Sequence, residues 1–330
     1  MSAPINVVGG GAWGTALANA AAAAGHPVTL WLRGPEAAAR LQAERENPRY
    51  LPGVPLHPGI RATAQSEKLA GARATLLVVP AQTVRGVLES LRAPLASAGP
   101  VILCAKGIER GSDSFMSAVA GEVLPPDTPV AVLSGPSFAA DVARGLPTAV
   151  TLAAADAGRA ASLSALLSGP SLRLYHTDDV RGVEIGGAGK NVLAIACGIV
   201  AGRGLGESAR AALIARAFAE LMRFARAFGG RPETLMGLSG LGDLVLTASS
   251  PQSRNFAFGQ RLGAGATPDE AAGGKLAEGA FTAAALDGLA AAQGVEMPVA
   301  QAVAAIVAGS AGVDDVVAAL LARPLRGETD

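Results

Sequence analysis

Ile5-Asn6-Val7-Val8-Gly9-Gly10-Gly11-Ala12-Trp13-Gly14 stands near the start of the chain, and its reading decides the fold. A β-branched run over 5–8 enters a glycine turn, and an alanine-rich stretch over 14–24 continues as a helix. Gly9, Gly11 and Gly14 fit G-x-G-x-x-G. In a strand–turn–helix unit the first glycine permits the tight turn and the second lets a pyrophosphate approach the backbone. The third allows close helix–strand packing, and the helix N-terminus adds amide donors and partial positive charge. In a chain with 42 glycines the pattern alone is weak; its place at the first strand–turn–helix gives it weight. Trp13 either covers a dinucleotide or packs the core, and both readings stand.

Outward from this unit, short apolar runs alternate with helical stretches. Strands are expected over 28–32, 75–79, 101–104, 130–133, 149–152 and 172–175, with helices over 36–46 and 83–91. Such alternation predicts an α/β, Rossmann-like, doubly wound and mostly parallel sheet. Beyond Asp178 the chain reads as helices, over 180–201, 207–228, 252–262, 282–293, 299–308 and 313–321. Turn signals such as Gly229-Gly230-Arg231-Pro232 separate several of them. Two domains are therefore expected: a dinucleotide-binding domain over 1–177 and an all-α substrate and catalytic domain over 178–330.

Composition narrows the function classes. Half of the 330 residues are hydrophobic, but the excess is mostly alanine, and no stretch reaches the roughly 20 strongly apolar residues of a membrane span. The early run over 16–24 is broken by Asn19, ends at Gly25-His26-Pro27 and follows no basic segment, so no signal peptide is expected. Lys+Arg and Asp+Glu both total 27, a balance that argues against nucleic-acid binding. Cys104 and Cys197 lie far apart in apolar runs and read as buried small hydrophobes, which points to a reducing compartment, the cytoplasm. His26, His57 and His176 fall in turns, and no metal-binding or Ser/His hydrolase pattern is present.

Ligands of a doubly wound sheet bind beyond the carboxyl ends of its strands. Beyond the second strand stands Arg33 rather than an acid, so NADP(H) is expected to be accepted as well as NAD(H); an exposed loop arginine is the competing reading. Lysine occurs at only four positions, Lys68, Lys106, Lys190 and Lys275, and all other strong bases are arginine. Lys106 follows a strand. Lys190 follows Gly186-Gly187-Ala188-Gly189 inside an apolar helix, where each glycine costs about 1 kcal/mol relative to alanine. That cost implies close approach of another backbone or a ligand. A lysine so crowded is suited to exchanging a proton near neutral pH, unless it lies on a solvated helix face. Asp243 stands among apolar residues and is expected to meet a lysine or another donor, or to cap a helix. Arg254 and Asn255 begin a helix after Pro251 and suit a phosphate, with a simple capping turn as the alternative.

Taken in order, these segments resemble bacterial NAD(P)-dependent glycerol-3-phosphate dehydrogenases. The resemblance rests on the glycine turn, Asn47-Pro48-Arg49-Tyr50-Leu51-Pro52-Gly53-Val54, Lys106-Gly107 and Ser134-Gly135-Pro136-Ser137-Phe138. It continues through Gly187-Ala188-Gly189-Lys190-Asn191, Gly240-Leu241-Gly242-Asp243-Leu244 and Gln252-Ser253-Arg254-Asn255 to Glu296-Met297-Pro298. It implies Lys190 as catalytic acid/base, and substrate contacts at Lys106, Gly135, Ser137, Lys190, Asp243, Ser253, Arg254 and Asn255. It places Trp13, Arg33, Lys106, Ala139, Arg254, Leu276 and Glu278 near the dinucleotide. Dihydroxyacetone phosphate as substrate, a role in glycerophospholipid synthesis and a homodimer are likewise implied by the resemblance. Ala12 departs from the serine many members carry, and the stretch 274–279 matches more loosely. Two other readings share the turn. A hydroxyacid or ketopantoate reductase has no need of the Arg254–Asn255 pair, and an NADP sensor has no need of two cleft lysines.

Overall fold

A computed structural model describes residues 2–274 and 277–324, so Leu276 lies outside the described residues. The contacts group the chain into two compact units. Residues 1–187 with 230–243 form one, and residues 188–229 with 244–330 form the other.

The first unit is built on strands β1 (Ile5–Val8), β2 (Val28–Trp31), β5 (Ile60–Thr63), β6 (Ala74–Leu77), β7 (Val101–Leu103), β8 (Val130–Ser134), β9 (Thr148–Ala154) and β10 (Leu172–Thr177). Their order is β10-β9-β8-β7-β6-β1-β2-β5. All neighbours are parallel except β8 and β9, which run antiparallel. Between strands run α1 (Ala12–Ala23), α2 (Pro35–Glu44), α3 (Val84–Leu95), α4 (Met116–Val123), α5 (Ala139–Ala143) and α6 (Ala157–Leu167). Alternate strand residues point to opposite faces. Ile5, Val7, Leu76 and Ile102 join the core under α1 and α6, whereas Val8, Leu77, Val101 and Leu103 join the core under α3 and α4. Helices thus cover both faces, as expected of a doubly wound sheet. Strand order reverses at β1, between β2 and β6, which makes the end of β1 the switch point where ligands bind.

Local differences from the expectation have local causes. Arg45 takes a left-handed φ of 56°, so α2 stops at Glu44 and Glu46 begins a strand instead of ending a helix. Strands β3 (Glu46–Asn47) and β4 (Leu51–Pro55) form a hairpin that was hidden by Pro48, Pro52 and Gly53. His176 lies within β10 and not in a turn.

Helix α7 (Val180–Gly202) begins in the first unit and continues into the second. It has 23 residues and a mean hydropathy of 1.4, so a segment long and apolar enough to cross a membrane does exist, contrary to the sequence reading. Within its most apolar window 89% is buried inside the protein, as in a core helix. The short α9 (Pro232–Leu235) belongs to the first unit, and α10 (Asp243–Ala248) follows a π-helical turn over Leu238–Gly242.

In the second unit α7 is accompanied by α8 (Glu207–Ala227), α11 (Arg254–Gly263), α12 (Pro268–Ala272), α13 (Glu278–Ala292), α14 (Pro298–Val307) and α15 (Val313–Leu321). α11 begins at Arg254 rather than Gln252, because Ser253 supplies the N-cap. α7 and α11 approach closely through small residues. A Cβ on Gly198 would lie 2.1 Å from the Phe256 carbonyl oxygen, and one on Gly259 would lie 2.1 Å from that of Ile195. Cys104 and Cys197 are buried and unbridged, and burial pushes both thiols up to about 12. They are the small hydrophobes that their setting predicted.

Candidate active site

The turn after β1 is shaped by its neighbours. Gly9 has φ +116°, and a Cβ there would stand 2.2 Å from the Val78 carbonyl oxygen; one on Gly14 would stand 1.9 Å from that of Gly9. Both positions exclude a side chain for reasons internal to the protein. Gly11 is different: nothing lies within 4 Å of its would-be Cβ. As N-cap of α1 it provides no side-chain cap, which leaves first-turn amides available to an anion. This open cradle fits the pyrophosphate of a dinucleotide. Trp13 is partly buried, packs against the core and keeps part of its surface exposed. Arg33 is exposed two residues past the end of β2, and Ala139 heads α5, which packs against α1.

A second cluster of this unit gathers Lys106, Gly135, Ser137 and Asp243. Lys106 Nζ donates to Asp243 Oδ2 at 2.6 Å and to the Gly135 carbonyl oxygen at 3.1 Å. Asp243 is 1% exposed, so its carboxylate is stabilised by the ammonium rather than by water. The expectation that Asp243 meets a lysine is met here. Gly135 has φ +152°, and a Cβ there would press to 2.8 Å on Val150 Cα. Its carbonyl oxygen also accepts from Ser137 Oγ at 3.1 Å. The π-helical turn delivers Asp243; a Cβ on Gly240 would lie 2.0 Å from the Leu235 carbonyl oxygen. Turns of this kind recur at functional sites. The glycines of α7 are explained by crowding. A Cβ on Gly186 would meet the Ser239 carbonyl oxygen at 2.7 Å, and one on Gly187 would meet Ser134 Oγ at 2.8 Å.

The second unit carries the other lysine. Lys190 is 7% exposed, and its Nζ donates to Thr247 Oγ1 at 2.8 Å. The solvated-face alternative is thereby removed. Gly189 admits the packing, since its Cβ would lie 2.3 Å from Leu221 Cδ1. Nearby in sequence, Asn191 Oδ1 accepts from Asn255 Nδ2 at 2.9 Å, and Asn255 Oδ1 accepts from Gly279 N at 3.0 Å. Asn255 therefore ties α7, α11 and the start of α13 together. Ser253 accepts from Phe256 N at 3.2 Å as a helix cap, while Arg254 is exposed at the first position of α11. Glu278 opens α13.

Thr247 escaped the sequence reading, and Asn191 stood there only as part of the Lys190 motif, with no role of its own. Thr247 stands four residues after Asp243 on α10, a spacing that puts both on one helix face and could have flagged it. Asn191 gave no such local signal. Two of the three histidines have other employment: His26 Nε2 lies 2.7 Å from the Leu166 carbonyl oxygen, and His57 Nδ1 accepts from Gly59 N at 3.1 Å. Among the described residues no cluster of His, Cys, Asp or Glu could hold a metal ion.

Comparison with known proteins adds independent findings. The family model for the NAD-dependent glycerol-3-phosphate dehydrogenase N-terminus matches residues 4–160, and that for the C-terminus matches residues 179–318. The chain is 90% identical over 327 residues to a glycerol-3-phosphate dehydrogenase (NAD(P)+) of Methylobacterium radiotolerans, covering 99% of this chain and 98% of that protein. It is 60% identical to the protein so named in Azorhizobium caulinodans, with 98% of each covered. A crystal structure of glycerol-3-phosphate dehydrogenase from Coxiella burnetii superposes with a TM-score of 0.91 at 39% identity, covering 98% of this chain and 99% of that one.

Proposed function

We propose a reaction on one premise: this chain belongs to the NAD-dependent glycerol-3-phosphate dehydrogenase family. The reaction is the reversible reduction of dihydroxyacetone phosphate at C2 to sn-glycerol 3-phosphate. NAD(P)H, when bound, supplies the hydride that reaches the C2 carbonyl carbon. The open cradle at Gly11, with Gly9 and Gly14 holding its shape, would take the pyrophosphate. Trp13, Arg33, Lys106, Ala139, Arg254 and Glu278 would contact the remainder of the dinucleotide, and Leu276 completes the set by resemblance.

Lys190 is the proton donor and acceptor of this reading. In reduction its ammonium gives a proton to the former carbonyl oxygen, and in oxidation its amine takes the proton back. Burial supports the role, with the hydrogen bond to Thr247 Oγ1 orienting the ammonium, since an amine so placed exchanges protons with substrate rather than bulk solvent. This burial of Lys190 is the observation that carries the proposal. Lys106, oriented by Asp243 and Gly135, would hold a substrate oxygen. Ser137, Ser253, Arg254 and Asn255 would bind the polar and phosphate ends. In domain terms, 1–177 would bind the dinucleotide and 178–330 would supply the catalytic group. The setting we propose is a cytoplasmic homodimer feeding glycerophospholipid synthesis, without nucleic-acid partners or membrane insertion.

One assay tests the reaction. Purified protein should oxidise NADH and NADPH only when dihydroxyacetone phosphate is added, and Arg33→Ala should lower use of NADPH relative to NADH. Absence of any substrate-dependent oxidation would end the proposal, and an unchanged cofactor ratio would remove Arg33 from the site.

A further inference from the structure

The hairpin of β3 and β4 has no part in the roles set out so far, yet it is anchored to the dinucleotide turn. Asn47, 7% exposed at the start of the hairpin, spends both hydrogens of its side-chain amide on that turn. Nδ2 donates to the Gly10 carbonyl oxygen at 2.9 Å and to Thr15 Oγ1 at 2.7 Å. Thr15 is fully buried, and its own N–H donates to the Gly11 carbonyl oxygen at 2.9 Å. The far end of the hairpin is fixed to the same helix. Asn19 of α1 donates to the Pro55 carbonyl oxygen at 3.1 Å and accepts from His57 N at 3.0 Å. Glu46 Oε1 accepts from Gly53 N at 2.8 Å and braces the hairpin from within.

The bond to Gly10 has a directional consequence. A peptide unit is planar and trans, so its C=O and N–H point in opposite directions. Holding the Gly10 oxygen toward Asn47 turns the N–H of Gly11 to the other side of the chain. A peptide between two glycines has no side chain to restrict it and would otherwise rotate freely. Of Gly9, Gly10, Gly11 and Gly14, Gly11 is the one whose would-be Cβ meets nothing within 4 Å.

We infer that Asn47 is a positioning residue for dinucleotide binding, one that fixes the Gly10–Gly11 peptide with its N–H available to the pyrophosphate. It does so from behind the turn, without touching the ligand. The inference rests on the dinucleotide reading given above. It assigns work to Asn47 that a hairpin-stabilising residue alone would not have.

The test uses the full chain and direct binding of NADH and NADPH, followed by the fluorescence of the bound nucleotide. Asn47→Ala should raise Kd for both by roughly tenfold, from the loss of one to two oriented bonds. At saturating nucleotide, kcat and the KM for dihydroxyacetone phosphate should stay within about twofold of wild type. Asn47→Asp keeps the shape but sets a carboxylate oxygen against the Gly10 oxygen, and should weaken binding at least as much. It carries the same readout if Asn47→Ala does not fold. Thr15→Val, which leaves the Gly10 bond in place, should change Kd by less than about twofold. Wild-type Kd values in both Asn47 variants, or a loss in Thr15→Val equal to theirs, would overturn the inference. A wild-type chain that binds neither nucleotide would instead overturn the dinucleotide reading itself and this inference with it.

Discussion

In the turn after β1, Gly9 sits at φ +116° and Gly11 faces open space, whereas in α7 Gly186, Gly187 and Gly189 are regular helical residues pressed by neighbouring atoms. The same amino acid answers two different demands. The turn needs a backbone shape and room for something that is not protein. The helix gives up about 1 kcal/mol of propensity at each glycine and recovers it in contacts that alanine would forbid. Gly11 is thus a statement about room for a ligand, while the glycines of α7 are a statement about packing.

Substitution by alanine sharpens the contrast. Gly14→Ala should cost the most, about 3 kcal/mol in urea unfolding, because its Cβ would stand 1.9 Å from a backbone oxygen that cannot swing away. Gly186→Ala, at 2.7 Å from the Ser239 carbonyl oxygen, should cost about 2 kcal/mol. Gly11→Ala should leave stability within about 0.5 kcal/mol of wild type and yet weaken dinucleotide binding by roughly tenfold. Equal destabilisation by all three would break the distinction drawn between the two regions.

Buried charge divides the regions in a similar way. Asp243 is met by an ammonium, whereas Glu220 of α8, 3% exposed, is met by backbone amides at the start of α14. Burial pushes Glu220 up to about 7, with the Val299 and Ala300 amides and, more weakly, Arg223 and Arg323 acting against the rise. A raised folded-state value means that the folded chain binds the extra proton. This contribution to stability is therefore full below the ordinary glutamate range and is lost as pH rises through about 7. Glu220→Gln should be more stable than wild type at pH 8 by about 1 kcal/mol, with the gap closing toward pH 5. A pH-independent difference between the two proteins would show that Glu220 does not titrate in this way.

How much of this was legible in the sequence depended on the range of the interactions. The strand, turn and helix over 5–24 are written in local periodicity, and the sheet follows from repeating that alternation. Crowding at Lys190 was legible because three glycines in an alanine-rich apolar helix have a cost that only packing or a ligand explains. The hairpin at 46–55 was not, since its three prolines and Gly53 carry the signature of a loop. The antiparallel course of β9 was equally hidden, because strand direction is set by connections and not by composition. Lys106 and Asp243 are separated by 137 positions, so their pairing could be anticipated from the expense of a lone buried carboxylate, but its partner was fixed only by the fold. Asn47 lies in a stretch quoted for its resemblance, but its hold on Gly10 is a tertiary contact without a local trace.

The most direct measurement compares single-turnover reduction of dihydroxyacetone phosphate by wild type and Lys190→Ala, each saturated with a nucleotide whose Kd is measured in parallel. With Lys190 as the proton donor, the rate should fall by roughly 100-fold or more while nucleotide affinity stays within about twofold. A variant that turns over at a near-normal rate, or one that loses activity only because it no longer holds the nucleotide, would contradict the assignment.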